Sequence, residues 1–251
     1  MRAGFERATG GSRPVPPETI EKYGRIRLAV VMAKWLAFQL SIWHEIATWY
    51  GFASLAEWPE KISAFSPEDL YSNQLGVRLA GAIVLSNDAR SDGEYNANMD
   101  AWIERTLDRP EVAPLDQAVA AAQAVDGAWW DSQRRIPDWM LVKRRRMDHG
   151  PLLAPWTLEG ASSGSKGPVR PIAACQGRGK PLVLRIDDGW SGVAFRDYAG
   201  VEFDVGAGLT AAGFPQPRSE SRLVTQDDFP FVIESIRREN GSVFGDMADR
   251  M

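Results

Sequence analysis

The sequence predicts a mainly α-helical fold, in which further helices pack on a central buried helix and a small β element lies near the C-terminus. Three observations support this prediction. Residues 26–50 are apolar on most sides of a helix, residues 63–87 carry a helix-start signal followed by a helical apolar pattern, and residues 181–205 contain a strand–turn–strand pattern. We therefore expect a helical core organised around residues 26–50.

The composition argues against several classes of partner and excludes two kinds of site. With 44% hydrophobic and 25% charged residues over 251 positions, the chain resembles an ordinary globular protein with a full core. A net charge of −4 argues against a dedicated nucleic-acid or anionic-membrane partner. One cysteine, Cys175, excludes an internal disulfide, and two histidines exclude a three-histidine zinc site within the chain. We expect no metal and no cofactor, and the oligomeric state stays open.

No signal peptide or membrane span is predicted. The opening segment, MRAGFERATGGSRPVPPE, is charged and rich in Gly and Pro, where a signal peptide would have an apolar run. The uncharged stretch within the apolar helix, residues 35–43, is far shorter than the roughly 20 residues that a transmembrane helix needs. As written, the chain therefore predicts a cytoplasmic location without a transmembrane segment.

The rest of the pattern divides the chain into a short tail and one domain. Residues 1–15 are expected to form a flexible tail, and residues 16–251 a single mainly helical domain. Pro16 and Pro17 favour the start of a helix, and Gly51 is a natural stop for the long helix that follows.

Capping signals predict where two later helices begin. Ser66 and Asp69 have the spacing of a capping box at the start of a helix over residues 67–85, and Thr225 and Asp228 have the same spacing at the start of the last helix. The elements expected between them are a helix up to about residue 108, an Ala-rich helix over residues 115–127, a long loop over residues 157–180, and a strand, an Asp-Asp-Gly turn and a second strand within residues 181–205.

A polar line on the apolar helix holds the first candidate site residues. His44 and Glu45 lie close to Ser41 and Thr48 on this line, because positions three, four and seven apart share a helix face. Two interpretations stay open. The line is either a solvent-facing seam, or a seam that begins in water and ends in a pocket, where histidine and carboxylates are common.

Glu68 and Asp69 bring further carboxyl groups on the next helix. Partial burial raises the pKa of a carboxyl group, as a general acid requires, and a carboxylate pair flanked by tryptophans fits glycoside hydrolysis. The alternative is that acids in a first turn stabilise the positive end of the helix dipole. This alternative accounts for Asp69, whereas Glu68 stays a candidate for either role.

The known catalytic motifs are incomplete in this chain. HEIAT begins like the zinc-protease motif H-E-x-x-H but has Thr48 in place of the second histidine, so a metal would need oxygen ligands from elsewhere. There is no G-x-S-x-G motif, and GASSGSKG departs from the P-loop at Ser165. The four cations at residues 143–146 indicate a solvated face or a helix end, with an anionic head group or phosphate as the alternative partner.

The tryptophans offer a ligand surface. Trp129 and Trp130 are adjacent and must point to different sides, so one is expected in the core and the other, with Asp131, either in a cleft or over the edge of the core. Exposed tryptophans among the ten in the chain would suit stacking on a sugar ring or another apolar ligand.

Three segments of the chain resemble a known family. LSIWHEIATWYGF, SAFSPEDLYSNQLG and VDGAWWDSQRRIPD are similar in order and spacing to motifs of an uncharacterised bacterial family, a domain of unknown function, over roughly residues 26–245. Many members carry export or lipoprotein signals, so the resemblance implies an envelope or periplasmic location. Members also have an upstream segment, with a Gly-Gly-aromatic run and a histidine, that residues 1–25 do not match. A truncated, inactive member is therefore one expectation from the resemblance.

Together these observations predict an envelope-associated hydrolase with a cleft between two packed helices. The predicted catalytic residues are His44, Glu45 and Glu68, with one glutamate as the general acid/base and His44 as its partner or as a substrate-positioning group. The predicted binding residues for a small-molecule or glycan-like ligand are Trp43, Trp49, Tyr71, Asn73, Trp130 and Asp131. The alternative is a non-catalytic binding or scaffold protein in which the same residues form a satisfied polar seam.

Overall fold

The computed structural model of the chain describes residues 15–53, 59–109, 112–155, 182–190, 193–216 and 222–244. The predicted loop at 157–180, Cys175 and the predicted tail up to residue 14 lie outside these residues. The helices are α1 (Pro17–Tyr23), α2 (Arg25–Trp49), α3 (Asp69–Leu85), α4 (Asp92–Leu107), α5 (Leu115–Ala124), α6 (Ala207–Ala211) and α7 (Phe229–Phe244). Short 3-10 turns lie at Glu60–Ile62, Trp139–Leu141, Phe195–Asp197 and Gln226–Asp228.

The β structure of the described residues consists of three small antiparallel pairs. Strands β1 (Leu152–Leu153) and β2 (Leu184–Arg185) pair, as do β3 (Gly189–Trp190) with β4 (Val193–Ala194), and β5 (Glu202–Asp204) with β6 (Leu223–Thr225). The prediction of a mainly α fold with a small β element is confirmed. The pairing differs from the predicted one, because β2 pairs with β1 from earlier in the chain and not across the Asp-Asp-Gly turn.

Helix α2 is the centre of the core, and its burial increases along its length. Its buried apolar residues are Leu28, Trp35, Phe38, Ile42, Ile46, Ala47 and Trp49. At its first turn Ile26 is 73% exposed, whereas residues 45–49 are all buried, polar ones included. The last five residues of α2 are therefore surrounded by protein, whereas the rest of the helix, which includes the exposed His44, is covered only in part.

Residues late in the chain complete the core around α2. The Trp35 ring lies 6.2 Å from the Phe195 ring, and the Trp43 ring stacks on the Phe203 ring at 4.1 Å with an interplanar angle of 9°. Helix α7 contributes a buried face that includes Val232. The main cluster of buried apolar residues thus joins α2 to the β5–β6 pair and to α7.

The capping box predicted at the start of the last helix is confirmed. The backbone N–H of Thr225 donates to Asp228 Oδ2 at 2.9 Å, and the Thr225 side chain accepts from the backbone N–H of Asp228. This box closes the 3-10 turn that leads directly into α7. The two residues therefore fix the point where the chain leaves β6 and enters the helix.

The interpretation of residues 143–146 as a solvated face was wrong. The side chains of Arg144, Arg145 and Arg146 are buried, in an extended segment that runs through the interior. Arg145 is fully buried: its Nη1 donates to the carbonyl oxygen of Ala64, and its Nη2 donates to that of Trp139 at 2.8 Å. Backbone carbonyls and aromatic rings replace water around these cations, which is why a run of charge can lie inside.

Helix α2 is the one helix in the described part of the chain that is long and apolar enough to cross a membrane. Length and composition alone give this result, and a core helix of a globular protein meets the same two criteria. The last five residues of α2 are buried, so packing within this fold explains the apolar character of that end of the helix. Of the most apolar 18-residue window of α2, 28% is buried.

Candidate functional site

A cavity of about 510 Å³ opens beside the N-terminal end of α3. Three parts of the chain enclose it: the start of α3, the C-terminal half of α5 and the segment that carries the paired tryptophans. The residues that line it are Ser66, Pro67, Glu68, Tyr71, Ala121, Ala122, Val125, Trp129, Trp130, Leu141, Val142 and Pro155. Most of this lining is aliphatic or aromatic, so the cavity has the character of a site for an organic molecule.

The polar side of the cavity is built by the turn before α3. Phe65 has a φ of +56°, in the left-handed region that a non-glycine residue seldom adopts, and this turns the chain sharply into the helix. The backbone N–H of Ser66 donates to Asp69 Oδ2 at 2.7 Å, as the predicted capping box requires. The Ser66 hydroxyl, however, donates to Glu68 Oε1 at 2.9 Å, and α3 begins only at Asp69. The turn thus places Ser66 and Glu68 together on the cavity wall.

The aromatic side of the cavity is held by the backbone around the paired tryptophans. The backbone N–H groups of Lys143 and Arg144 both donate to the carbonyl oxygen of Trp129, at 2.8 Å and 3.0 Å. The Trp130 indole N–H donates to the carbonyl oxygen of Ala122 at 2.9 Å, which ties α5 to this wall. Both tryptophans are half-buried and line the cavity, instead of one lying in the core.

A buried and a half-buried carboxyl group lie next to the turn before α3, together with a buried guanidinium group. Glu45 is 5% exposed, and its Oε2 accepts the backbone N–H of Phe65 at 2.8 Å. Burial, reinforced by the neighbouring Asp69 carboxylate, raises the pKa of Glu45 to about 8. Burial also raises the pKa of Asp69, although hydrogen bonds from Ser66 oppose this shift. Near neutral pH Glu45 therefore holds a proton, which it shares with Asp69 by a hydrogen bond.

Arg145 balances the negative charge of this carboxyl pair. Burial lowers the pKa of Arg145 to about 10, while Asp69 and Glu45 act in the opposite direction. The guanidinium carbon lies 5.1 Å from the centre of the Trp49 ring, so the cation also contacts an aromatic face. The Glu45, Asp69 and Arg145 side chains have a structural role. Their hydrogen bonds hold Ala64, Phe65 and the start of α3 in place behind the cavity wall.

The structure brings three of the predicted site residues to the cavity. Glu68, Tyr71 and Trp130 line it, and the Tyr71 hydroxyl donates to the carbonyl oxygen of Leu182 at 2.9 Å. Glu45 is buried behind the turn and does not line it.

The other predicted site residues lie elsewhere. His44 is exposed, with its ring edge-on to Phe52 at 6.2 Å, and it meets neither Glu45 nor Glu68 in a shared site. Trp43 and Trp49 pack in and against the core. Asn73 is half-buried on α3 without lining the cavity, and Asp131 forms an ion pair with Lys143 Nζ at 2.9 Å.

Several lining residues went unnoticed in the sequence. Ala121 and Ala122 read as ordinary positions of an Ala-rich helix, and Leu141, Val142 and Pro155 read as ordinary apolar residues. The one available signal was the Trp-Trp pair, which marked one wall but not the helix opposite. Among the described residues, no group of three or more His, Cys, Asp or Glu side chains is arranged to hold a metal ion.

Comparison with known proteins adds one finding. A family model described as "Protein of unknown function (DUF4056)" matches residues 13–158. Neither the curated proteins nor the solved structures gave a match. Every lining residue of the cavity lies within the matched segment. The cavity and its buried carboxyl pair are therefore built from the part of the chain that the family model describes.

Proposed function

We infer a ligand-binding function for this chain, which belongs to the family described as Protein of unknown function (DUF4056). Its ligand is a small, largely apolar organic molecule, and its binding site is the cavity at the start of α3. The observation that carries this proposal is the cavity itself, with a volume of about 510 Å³ and a lining that is mostly aliphatic and aromatic.

The size of the cavity supports a ligand over a packing defect. Protein interiors are close-packed, and voids much larger than a water molecule are few. Pockets for small organic ligands typically measure about 300–1,000 Å³. The volume here falls within that range, and its apolar wall would gain free energy when a ligand replaces water.

The polar groups of the cavity lie together on one wall. Ser66 and Glu68 are joined by a hydrogen bond, and Tyr71 presents its ring while its hydroxyl is already used as a donor to Leu182. A ligand with one polar end and an apolar body fits this division, because its polar end can reach Glu68 while its body contacts the tryptophans.

A screen with a cavity-filling variant tests the proposal. Ala121 lines the cavity, so Ala121→Trp would occupy part of it, whereas Ala118 lies on the same helix without lining it. We expect fragments that raise the melting temperature of the wild type, and that do so in Ala118→Trp but not in Ala121→Trp. Ligands that bind both variants equally, or a screen of soluble aromatic fragments without hits, would refute this function.

Hydrolysis is a second candidate, favoured by the Ser66–Glu68 hydrogen bond of 2.9 Å at the cavity wall. Glu68 would act as the general acid/base on a bound substrate. Glu45 as the alternative acid/base has less support, because it is buried behind the turn, and so has His44 as the partner, because it is exposed. A panel of chromogenic esters and glycosides tests this candidate. Turnover must fall by roughly 100-fold or more in Glu68→Gln and stay unchanged in His44→Gln.

The envelope location implied by the family resemblance is a separate proposal. Fractionation of cells that express the gene from its own locus tests it, with the chain expected in the envelope fraction. Recovery of the chain with cytoplasmic markers alone would overturn it.

A further inference from the structure

We propose that the cavity binds an organic cation, an ammonium group on an apolar body, with the Glu68 carboxylate as its counter-ion. This inference rests on the ligand-binding function proposed above and names the chemical class of the ligand. Two observations support it. Glu68 lies among aromatic side chains, and cationic side chains near it are engaged by other groups.

Glu68 is the one charged side chain among the described residues that line the cavity. Its Oε1 accepts the Ser66 hydroxyl at 2.9 Å, and it takes part in none of the ion pairs in the described part of the chain. The side chain is exposed, so it lies where the cavity meets solvent. Its carboxylate can therefore accept further hydrogen bonds from a ligand that enters.

Three of the cationic side chains near the cavity are held by other groups. Arg145 is buried against the carbonyl oxygens of Ala64 and Trp139, and Arg146 donates to the carbonyl oxygen of Ala154. Lys143 Nζ pairs with Asp131 at 2.9 Å and donates to a backbone carbonyl. These side chains do not line the cavity, so none of them occupies the position of a counter-ion to Glu68.

The charges of the Glu45, Asp69 and Arg145 side chains behind the cavity wall offset each other. The carboxyl pair of Glu45 and Asp69 holds one proton near neutral pH, because burial raises the pKa of Glu45 to about 8. The one remaining negative charge faces the guanidinium group of Arg145. Glu68 is the one charged side chain on the described cavity wall and takes part in none of the described ion pairs, so it favours a cation over a neutral or anionic ligand.

The aromatic lining fits the same ligand class. Tyr71, Trp129 and Trp130 contribute rings to the wall, and ring faces attract cations. One of these rings already shows the interaction: the guanidinium carbon of Arg144 lies 5.0 Å from the centre of the Trp129 ring. A carboxylate beside several aromatic rings is the arrangement that recognises ammonium groups, because it joins charge attraction to apolar contact.

A charge series on one scaffold tests the inference. Tryptamine, tryptophol and indole-3-acetate share an indole ring and carry a cation, a neutral hydroxyl and an anion. By isothermal titration we expect tryptamine to bind roughly tenfold more tightly than tryptophol, and indole-3-acetate to bind most weakly. The advantage of tryptamine should shrink as salt is added, because Glu68 is exposed to solvent and its charge is screened.

Two variants identify the residue responsible. Glu68→Gln keeps an oxygen acceptor for Ser66 and removes the charge, so it should bring tryptamine and tryptophol to nearly equal affinity. Asp116→Asn removes an exposed charge on α5 that does not line the cavity, and it should leave the preference unchanged. Equal losses in the two variants, or tryptophol binding as tightly as tryptamine, would overturn the inference.

The outcomes of these experiments distinguish a failure of this inference from a failure of the proposed ligand-binding function. If none of the indoles binds, the charge of the fragments that respond to Ala121→Trp decides. Neutral or acidic fragments would overturn the cation while leaving ligand binding in place, and basic ones would support it. The absence of any fragment that responds to Ala121→Trp would overturn both proposals.

Discussion

Glu45 and Asp69 place two carboxyl groups side by side next to the core, and Glu45 keeps its proton far above its ordinary titration range. Burial raises the pKa of Glu45 to about 8 in the folded chain, whereas its ordinary value is 4.5. A group whose folded pKa is raised gives its full stabilisation below the unfolded pKa and loses it as the pH rises through the folded pKa. The folded state therefore binds one more proton than the unfolded state between these two values.

This difference predicts a pH-dependent stability. The free energy of unfolding, measured by urea denaturation, should fall as the pH rises from about 5 to about 8, by up to about 1.4 kcal/mol per pH unit. Glu45→Gln should reduce this slope, because the amide can still accept the Phe65 N–H but cannot titrate. Glu104→Gln, at an exposed position of α4, is the matched control and should keep the wild-type slope. Identical slopes in Glu45→Gln and the wild type would contradict the prediction.

At the scale of single elements, the start of α7 offers a sharp test of local structure. Asp228 is 8% exposed and closes the capping box with Thr225, whereas its neighbour Asp227 is exposed. We predict that Asp228→Ala lowers the free energy of unfolding by about 1 kcal/mol or more, because it leaves the N–H of Thr225 without its acceptor. Asp227→Ala should change it by less than about 0.5 kcal/mol. Equal effects in chemical denaturation would show that the box does not stabilise the helix.

Elements were predictable from the sequence where their cause is local. The capping box of α7 and the apolar pattern of α2 depend on residues within a few positions of one another, so their spacing predicts them. The burial of Arg145 depends on carbonyl groups of Ala64 and Trp139, and on no nearby pattern of its own. A run of cations therefore resembled a solvated surface until the distant acceptors were known.

The candidate site was predictable only in part, for the same physical reason. Glu68, Tyr71 and Trp130 were chosen for their chemistry, and they meet at the cavity because α3 and the tryptophan segment pack there. Glu45 follows His44 directly in the chain, yet His44 is exposed and Glu45 is buried. Neighbours on a helix point in directions about 100° apart, so a step of one position can carry a side chain from the interior into water.

At the scale of the whole molecule, the segment that matches the family model depends on the rest of the chain. The match ends at residue 158, but α2 packs on Phe195, Phe203 and Phe229 from beyond it. Without these rings the buried face of α2 would be exposed to water. The core of the described residues thus extends across both sides of the match boundary. The single domain over residues 16–251 stays a prediction.

This dependence predicts the behaviour of a fragment. A protein of residues 13–158 should retain helical far-UV circular dichroism but lose the near-UV signal of its packed tryptophans and unfold without a cooperative transition. The full chain, measured in parallel, should show one cooperative transition in both signals. Cooperative unfolding of the fragment alone would divide the chain into two domains.

The burial of residues 144–146 also changes how the chain should meet a protease. In an unfolded chain, trypsin readily cleaves the peptide bonds that follow consecutive arginines. Here the same bonds are shielded by the interior, and cleavage at them requires the core to open. The rate of tryptic cleavage therefore reports how often the core opens. A molecule bound in the adjacent cavity stabilises the closed state, so it would slow this cleavage more strongly the higher its affinity. Tryptic cleavage at residues 144–146 would therefore detect ligand binding without knowledge of any reaction that the protein catalyses or takes part in.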